Sequence, residues 1–129
     1  MSAKRRSTLA PATDPRFPIP LRGVEVDAQT RCAHYDGLHD IIALRSAGDE
    51  TFAPCHQCHE ATTGQPFQPW PADRFDEPAV YCGACRETLT ATEYLASPEA
   101  CPRCGTAFNP GCAAHHELYF EIAPELVPG

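Results

Sequence analysis

Five short pairs of cysteine and histidine punctuate this chain: Cys32-x-His34, Cys55-x2-Cys58, Cys82-x2-Cys85, Cys101-x2-Cys104 and Cys112-x2-His115. They restrict its folding more than any apolar pattern does. A two-residue spacing lets one tight turn carry both side chains to a single ion, with the intervening amides turned toward the sulfurs. Between Cys85 and Cys101 lie 15 residues, so the third and fourth pairs read C-x2-C-x15-C-x2-C, the spacing of a four-cysteine zinc site. The glycines and proline of "YCGAC" and "CPRCG" stand where such knuckles need tight turns and close backbone approach. Upstream, 20 residues separate His34 from Cys55, and the first two pairs together complete a Cys3His set of the structural kind. Interleaved pairing, first with third and second with fourth, is the alternative. Sequential pairing is favoured because it closes shorter loops.

Composition explains why such cross-links are needed. Leu, Ile, Val and Phe supply 22 of 129 residues, under the fifth of a chain below which a strongly charged sequence is expected to stay disordered. The length suits one domain rather than two with separate apolar cores. A structural zinc site adds on the order of 10 kcal/mol or more of coupled folding free energy, which makes up for a thin core.

Charge and patterning exclude several functions. Residues 1–22 carry Lys4, Arg5, Arg6, Arg16 and Arg22 against Asp14, a balance of +4 that leaves −11 of the formal net −7 on the other 107 residues. Zinc thiolates make that body more negative still, so it is not expected to bind DNA or RNA. No stretch has the length and apolarity of a membrane span, and the N-terminus lacks the apolar core of a secretory signal. A cytoplasmic, monomeric protein is expected, and in that reducing compartment cysteine pairs are metal ligands or catalytic thiols more often than disulfides. Catalysis is disfavoured, because a cysteine and the histidine next to it rarely face each other as nucleophile and base. Thioredoxin-like redox chemistry calls for a βαβ alternation that the sequence around Cys55 and Cys58 does not announce.

Local signals give a sparse outline. Residues 1–22 read as a basic, proline-rich leader, disordered or extended, 23–121 as the zinc-binding domain and 122–129 as a frayed tail. "VEVD" is a candidate strand, "HDIIALRS" a buried strand or helical turn, and "HELYFEIA" a final strand. The proline-punctuated stretch from Pro66 to Pro78 is expected to be irregular, with Trp70 and Phe75 plugging the core. Thr90 and Glu93 form a capping-box pattern that opens one short helix, about residues 90–96. The fold class is therefore a small zinc-stabilised domain with little regular structure, short β-strands, hairpin knuckles and that single helix.

The motifs "RCAHYDGLHDIIAL", "CHQCHE", "AVYCGACRETLTATEYL" and "CPRCGTAFNPGCAAHHELYF" follow one another in the order and spacing of the CHY-type zinc finger. The layout is similar to the stand-alone helper of Tim protein family of the mitochondrial intermembrane space. This resemblance covers roughly residues 23 to 121. It implies one zinc on Cys32, His34, Cys55 and Cys58 and another on Cys82, Cys85, Cys101 and Cys104. The family's remaining site draws on a Cys-Cys pair upstream of Cys55 and a histidine downstream, where this chain has "RSAGDETFAP" and "ATTGQPFQPWP". Only His59 matches, so that site is expected to be lost and His59 to be a surface residue or one that supports a ligand. Cys112 and His115 are more simply a buried thiol and a hydrogen-bonded imidazole than a third zinc site, although His59 or His116 could complete one. His39, His56 and His116 are left as exposed or supporting groups.

The expected function is zinc binding without enzymatic activity. Two structural zinc ions would support a module that meets a protein partner, through the acidic surface around Trp70 to Glu77. The alternative is a zinc-handling or thiol-redox helper for the folding of other proteins.

Overall fold

The computed structural model describes residues 7–35, 37–97, 99–108 and 119–121. Its centre is a four-stranded antiparallel sheet in the order β2-β1-β3-β4, built from β1 (Ile42–Arg45), β2 (Phe52–Ala53), β3 (Pro78–Cys82) and β4 (Glu87–Thr90). Helix α1 (His56–Thr63) follows β2, a 3-10 turn spans Ala72–Arg74, and helix α2 (Ala91–Ala96) follows β4. Leu44 lies opposite Ala53 on one side and Val80 on the other, while Cys82 pairs with Ile42 and with Glu87. Two-sided pairing makes "IIALRS" a strand, a choice that apolar content alone leaves open.

Because side chains alternate along a strand, the sheet buries two cores. Ile42, Leu44, Val80 and Cys82 face one that also holds Trp70, Leu89, Tyr94, Cys101, Phe108 and Phe120. Ala43 and Tyr81 face the other, with Phe17, Leu21, Val26, Phe52, Cys32, Cys55 and Cys58. Each core thus carries cysteines from one of the sequence-predicted zinc sets.

The capping box at Thr90 forms as expected: the Glu93 amide donates to Thr90 Oγ1 at 3.0 Å, and the Thr90 amide to Glu93 Oε1 at 2.9 Å. Helix α1 is an addition to the expected outline. Its N-cap is Cys55, whose sulfur accepts from the Cys58 amide at 3.4 Å, and Gly64 closes it in the left-handed region at φ 74. The eight residues between have no apolar stripe to reveal them. "VEVD" forms no strand, since Glu25 turns the chain with φ 53.

The N-terminal segment departs most from expectation. From residue 7 onward it is built into the fold rather than hanging as a disordered leader. Leu21 makes a parallel bridge to Phe52, the Phe52 amide donates to the Pro20 carbonyl at 2.7 Å, and Phe17 stands edge-on to Tyr81 with centroids 5.8 Å apart. The Asp14 carboxylate is buried, and Arg16 holds it at 2.7 Å. Prolines that looked like marks of disorder instead lie in a strap of turns and bends over the second core.

Residues 66–77 are irregular apart from the 3-10 turn Ala72–Arg74, β3 beginning at Pro78, and Trp70 is wholly buried. Its Nε1 donates to the Arg74 carbonyl at 2.7 Å, and the Arg45 and Arg74 guanidiniums lie 4.9 and 4.3 Å from its ring centroid. Trp70 therefore offers nothing to a partner, and the acidic surface expected there reduces to Asp73, Asp76 and Glu77. Most of the expected final strand, with Cys112, His115 and His116, lies outside the described residues. Phe120 bridges in parallel to Trp70.

Candidate metal centres

Two clusters gather the eight sequence-predicted ligands in sequential order. In the first, Cys32, His34, Cys55 and Cys58 bring one ligand atom each to within 4.8 Å of the others, and Cys82, Cys85, Cys101 and Cys104 do the same in the second. Among the described residues no interleaved cluster occurs.

The first cluster draws its ligands from two pieces of chain. Cys32 comes from the loop before β1, where its amide donates to the Tyr35 carbonyl at 3.0 Å, and Cys55 and Cys58 come from the first turn of α1. Cys32 and Cys55 sulfurs are 3.7 Å apart, and His34 Nδ1 lies 3.4 Å from both Cys55 and Cys58. A tetrahedral ion with sulfur at about 2.3 Å and nitrogen at about 2.0 Å sets edges of roughly 3.8 and 3.5 Å, so the set fits zinc. The Val24 amide donates to Cys58 at 3.4 Å, which brings the strap to the cluster.

The second cluster is made by two knuckles. The first is the β3–β4 turn and the second runs from Cys101 to Gly105. The two resemble each other in detail: the Arg86 amide donates to the Cys82 carbonyl at 2.8 Å and the Gly105 amide to the Cys101 carbonyl at 2.8 Å. The residue after each second cysteine is left-handed, Arg86 at φ 63 and Gly105 at φ 79. Cys82 lies 3.9 Å from Cys104, and Cys85 lies 3.9 Å from Cys101, again the edge of a tetrahedral sulfur site. Gly83 is needed for close approach, because a Cβ there would collide with the Gln29 carbonyl and come within 2.8 Å of that of Ile41. The loop leading to Cys32 therefore rests on the knuckle of the other cluster.

Crowded thiols of this kind cannot all ionise without a cation among them. Hydrogen bonds from Cys55 and Cys58 pull the Cys32 thiol down to about 2, and the hydrogen bond with Cys32 pushes Cys58 up to about 12 and raises Cys55 as well. Burial raises Cys82 and Cys85. Cys104 is lowered to about 7 by the Thr106 hydroxyl, 3.2 Å away, and by the Thr106 backbone. One thiolate forming at the expense of its neighbours is the electrostatic situation that a divalent ion relieves. None of the seven described cysteines is in a disulfide.

His59 is placed differently from expectation. It is 3% exposed rather than on the surface. Its Nδ1 lies 2.9 Å from the Gln65 carbonyl and its Nε2 3.1 Å from Asp49 Oδ2, and its ring stands edge-on to Phe67. Asp49 comes from the turn between β1 and β2, a contact that sequence reasoning missed and for which the sequence carries no signal. His56 Nδ1 lies 3.1 Å from the Tyr119 hydroxyl, and His39 is exposed.

Comparison with known proteins places these clusters in context. The chain is 44% identical over 101 residues to an uncharacterized protein of Schizosaccharomyces pombe, covering 78% of this chain and 88% of that protein. It is 35% identical over 105 residues to Helper of Tim protein 13 of Saccharomyces cerevisiae, covering 79% and 90%. Against Helper of Tim protein 13 of Kluyveromyces lactis the identity is 34% over 98 residues, covering 76% and 85%. No family model matches, and no solved structure does.

Proposed function

The chain belongs to the helper of Tim protein family, and from that membership and its two tetrads we propose that it is a CHY-type zinc-binding protein that acts by docking a protein partner, without an enzymatic step of its own. The observation that carries this reading is the pair of clusters, each with four ligand atoms within 4.8 Å. In each, zinc would join distant pieces of chain: the strap-side loop to α1 in the first, and the two knuckles in the second. The name Helper of Tim protein suggests a Tim protein as the partner, and the exposed Asp73 and Asp76 belong to the acidic surface proposed to meet it. Among the described residues no helix is long and apolar enough to cross a membrane. The proposed compartment is one that keeps thiols reduced, with the cytoplasm first. Fractionation into the intermembrane space would replace it.

Elemental analysis of protein purified without added metal is expected to give two zinc ions per chain, and immobilised zinc-loaded protein to retain a Tim protein. Equal retention by chelator-treated protein would remove zinc from the reading. A second reading, a zinc-handling or thiol-redox helper, is favoured by one observation: the four-cysteine cluster reaches the surface at Cys104.

A further inference from the structure

The two clusters differ in how solvent reaches their sulfurs. In the first, Cys32, Cys55 and Cys58 are at most 1% exposed, and only the His34 imidazole meets water. The strap seals it. The Thr8 amide donates to the Gly23 carbonyl at 2.9 Å, the Ala10 amide to the Thr62 carbonyl of α1 at 2.9 Å, and the Val24 amide to Cys58 itself at 3.4 Å. A nucleophile arriving at His34 finds the three sulfurs behind it unreachable until the strap lifts.

In the second cluster Cys104 is exposed and Cys85 partly so, while Cys82 and Cys101 are buried. The two accessible sulfurs belong to different knuckles, so half of the ligand set can be replaced without opening the core. The whole stretch from Pro102 to Gly105 is surface. A four-thiolate zinc site carries a formal charge of about −2, which repels an incoming thiolate. Here, in an otherwise acidic body, exposed Arg86 directly follows Cys85 and exposed Arg103 directly precedes Cys104. Arg103 is aimed by the Thr88 carbonyl at 3.1 Å and by Glu93 at 3.4 Å. Arg86 is turned to the strap instead, its guanidinium donating to the Arg16 carbonyl at 2.6 Å and lying over the Phe17 ring.

We infer that the two sites divide the labour: the Cys3His site is a sealed structural centre, while the four-cysteine site exchanges zinc with an incoming thiolate at Cys104, guided by Arg103. The inference rests on the zinc-handling reading. At the exchanging sulfur one metal–sulfur bond forms to the incoming thiolate as the Cys104 bond breaks. Cys104 departs as a thiolate and takes a proton from water, and no electrons change hands. A second substitution at Cys85 leaves only Cys82 and Cys101 holding the ion.

The test uses the zinc-loaded full chain, with excess glutathione and a chromogenic zinc chelator as probes and alkylation mapped by peptide mass in parallel. Two phases of one zinc each are expected, with Cys104 and Cys85 alkylated in the fast one while Cys32, Cys55 and Cys58 stay protected. Cys104→His, which keeps four ligands, should slow the fast phase at least tenfold. Should that variant lose its zinc, Arg103→Glu leaves every ligand in place and should slow the fast phase several-fold, more at low salt than at high. Zinc leaving both sites at one rate, early labelling of Cys32, or a fast phase indifferent to Arg103→Glu overturns the division of labour while leaving zinc binding intact. A chain that holds no zinc overturns the underlying reading, and the inference with it.

Discussion

Replacing Cys85 by serine tests whether zinc is part of the fold. Serine keeps the size of the side chain, but its hydroxyl is not ionised near neutral pH and is a poor ligand, so the second cluster falls to three sulfurs. Structural zinc in small domains contributes about 10–16 kcal/mol of coupled folding free energy, against a net stability of about 5–15 kcal/mol for a whole domain. Even a partial loss is therefore comparable with everything that holds the chain folded. The damage should also spread beyond the knuckles. Cys82 ends β3, whose Val80 and Cys82 face the core of the second cluster, so the damage falls on that core while the first cluster keeps its own zinc and its own core. The expected outcome is one zinc lost per chain by elemental analysis, a midpoint lower by well over 10 °C in thermal melts followed by circular dichroism, and labelling of Cys82 and Cys101. A variant that keeps two zinc ions, or melts cooperatively at the original temperature, would refute the argument that the ion and the core are one structure.

Other consequences follow from single contacts. His59→Ala should leave zinc content unchanged but lower stability by about 2–4 kcal/mol, since it empties a buried site and orphans its partners, the Gln65 carbonyl and Asp49; isothermal denaturation with parallel metal analysis measures both. Gly83→Ala should lower stability by more than about 3 kcal/mol, because the Gln29 and Ile41 carbonyls it meets are backbone and cannot rotate away; an unchanged urea midpoint would contradict the close approach. Burial by itself would raise the Asp49 carboxyl, but the Thr51 amide and hydroxyl and His59 outweigh it and hold the group below its ordinary 3.8. Its folded value being depressed, Asp49 adds stability that is present above pH 4 or so and lost as pH falls through the folded value. The stability gap between wild type and Asp49→Asn should therefore shrink as pH falls below 4, as read from denaturant midpoints.

Some of this molecule is written in short stretches of sequence. Whereas the glycine at residue 83 is required by the distant Gln29 and Ile41 carbonyls, the four half-sites, the Thr90–Glu93 box and the irregular chain around Trp70 each depend on neighbours a few residues away. Spacing and residue type there act directly on turn geometry. Even the grouping of the half-sites follows from chain length, since shorter loops are cheaper to close. Tertiary structure alone decided that the proline-rich N-terminus straps the first cluster, that Cys55 caps a helix without an apolar stripe, and that His59 is buried against Asp49. It also decided that one cluster is covered while the other opens at Cys104. These outcomes depend on which face of a shared sheet each segment packs against, as where Leu21 meets Phe52 and Val24 meets Cys58 beside the paired β1 and β3. A contact between residues tens of positions apart leaves no periodic or compositional trace in either segment, because its free energy comes from apolar area and sulfur charge that neither segment can bury or satisfy on its own.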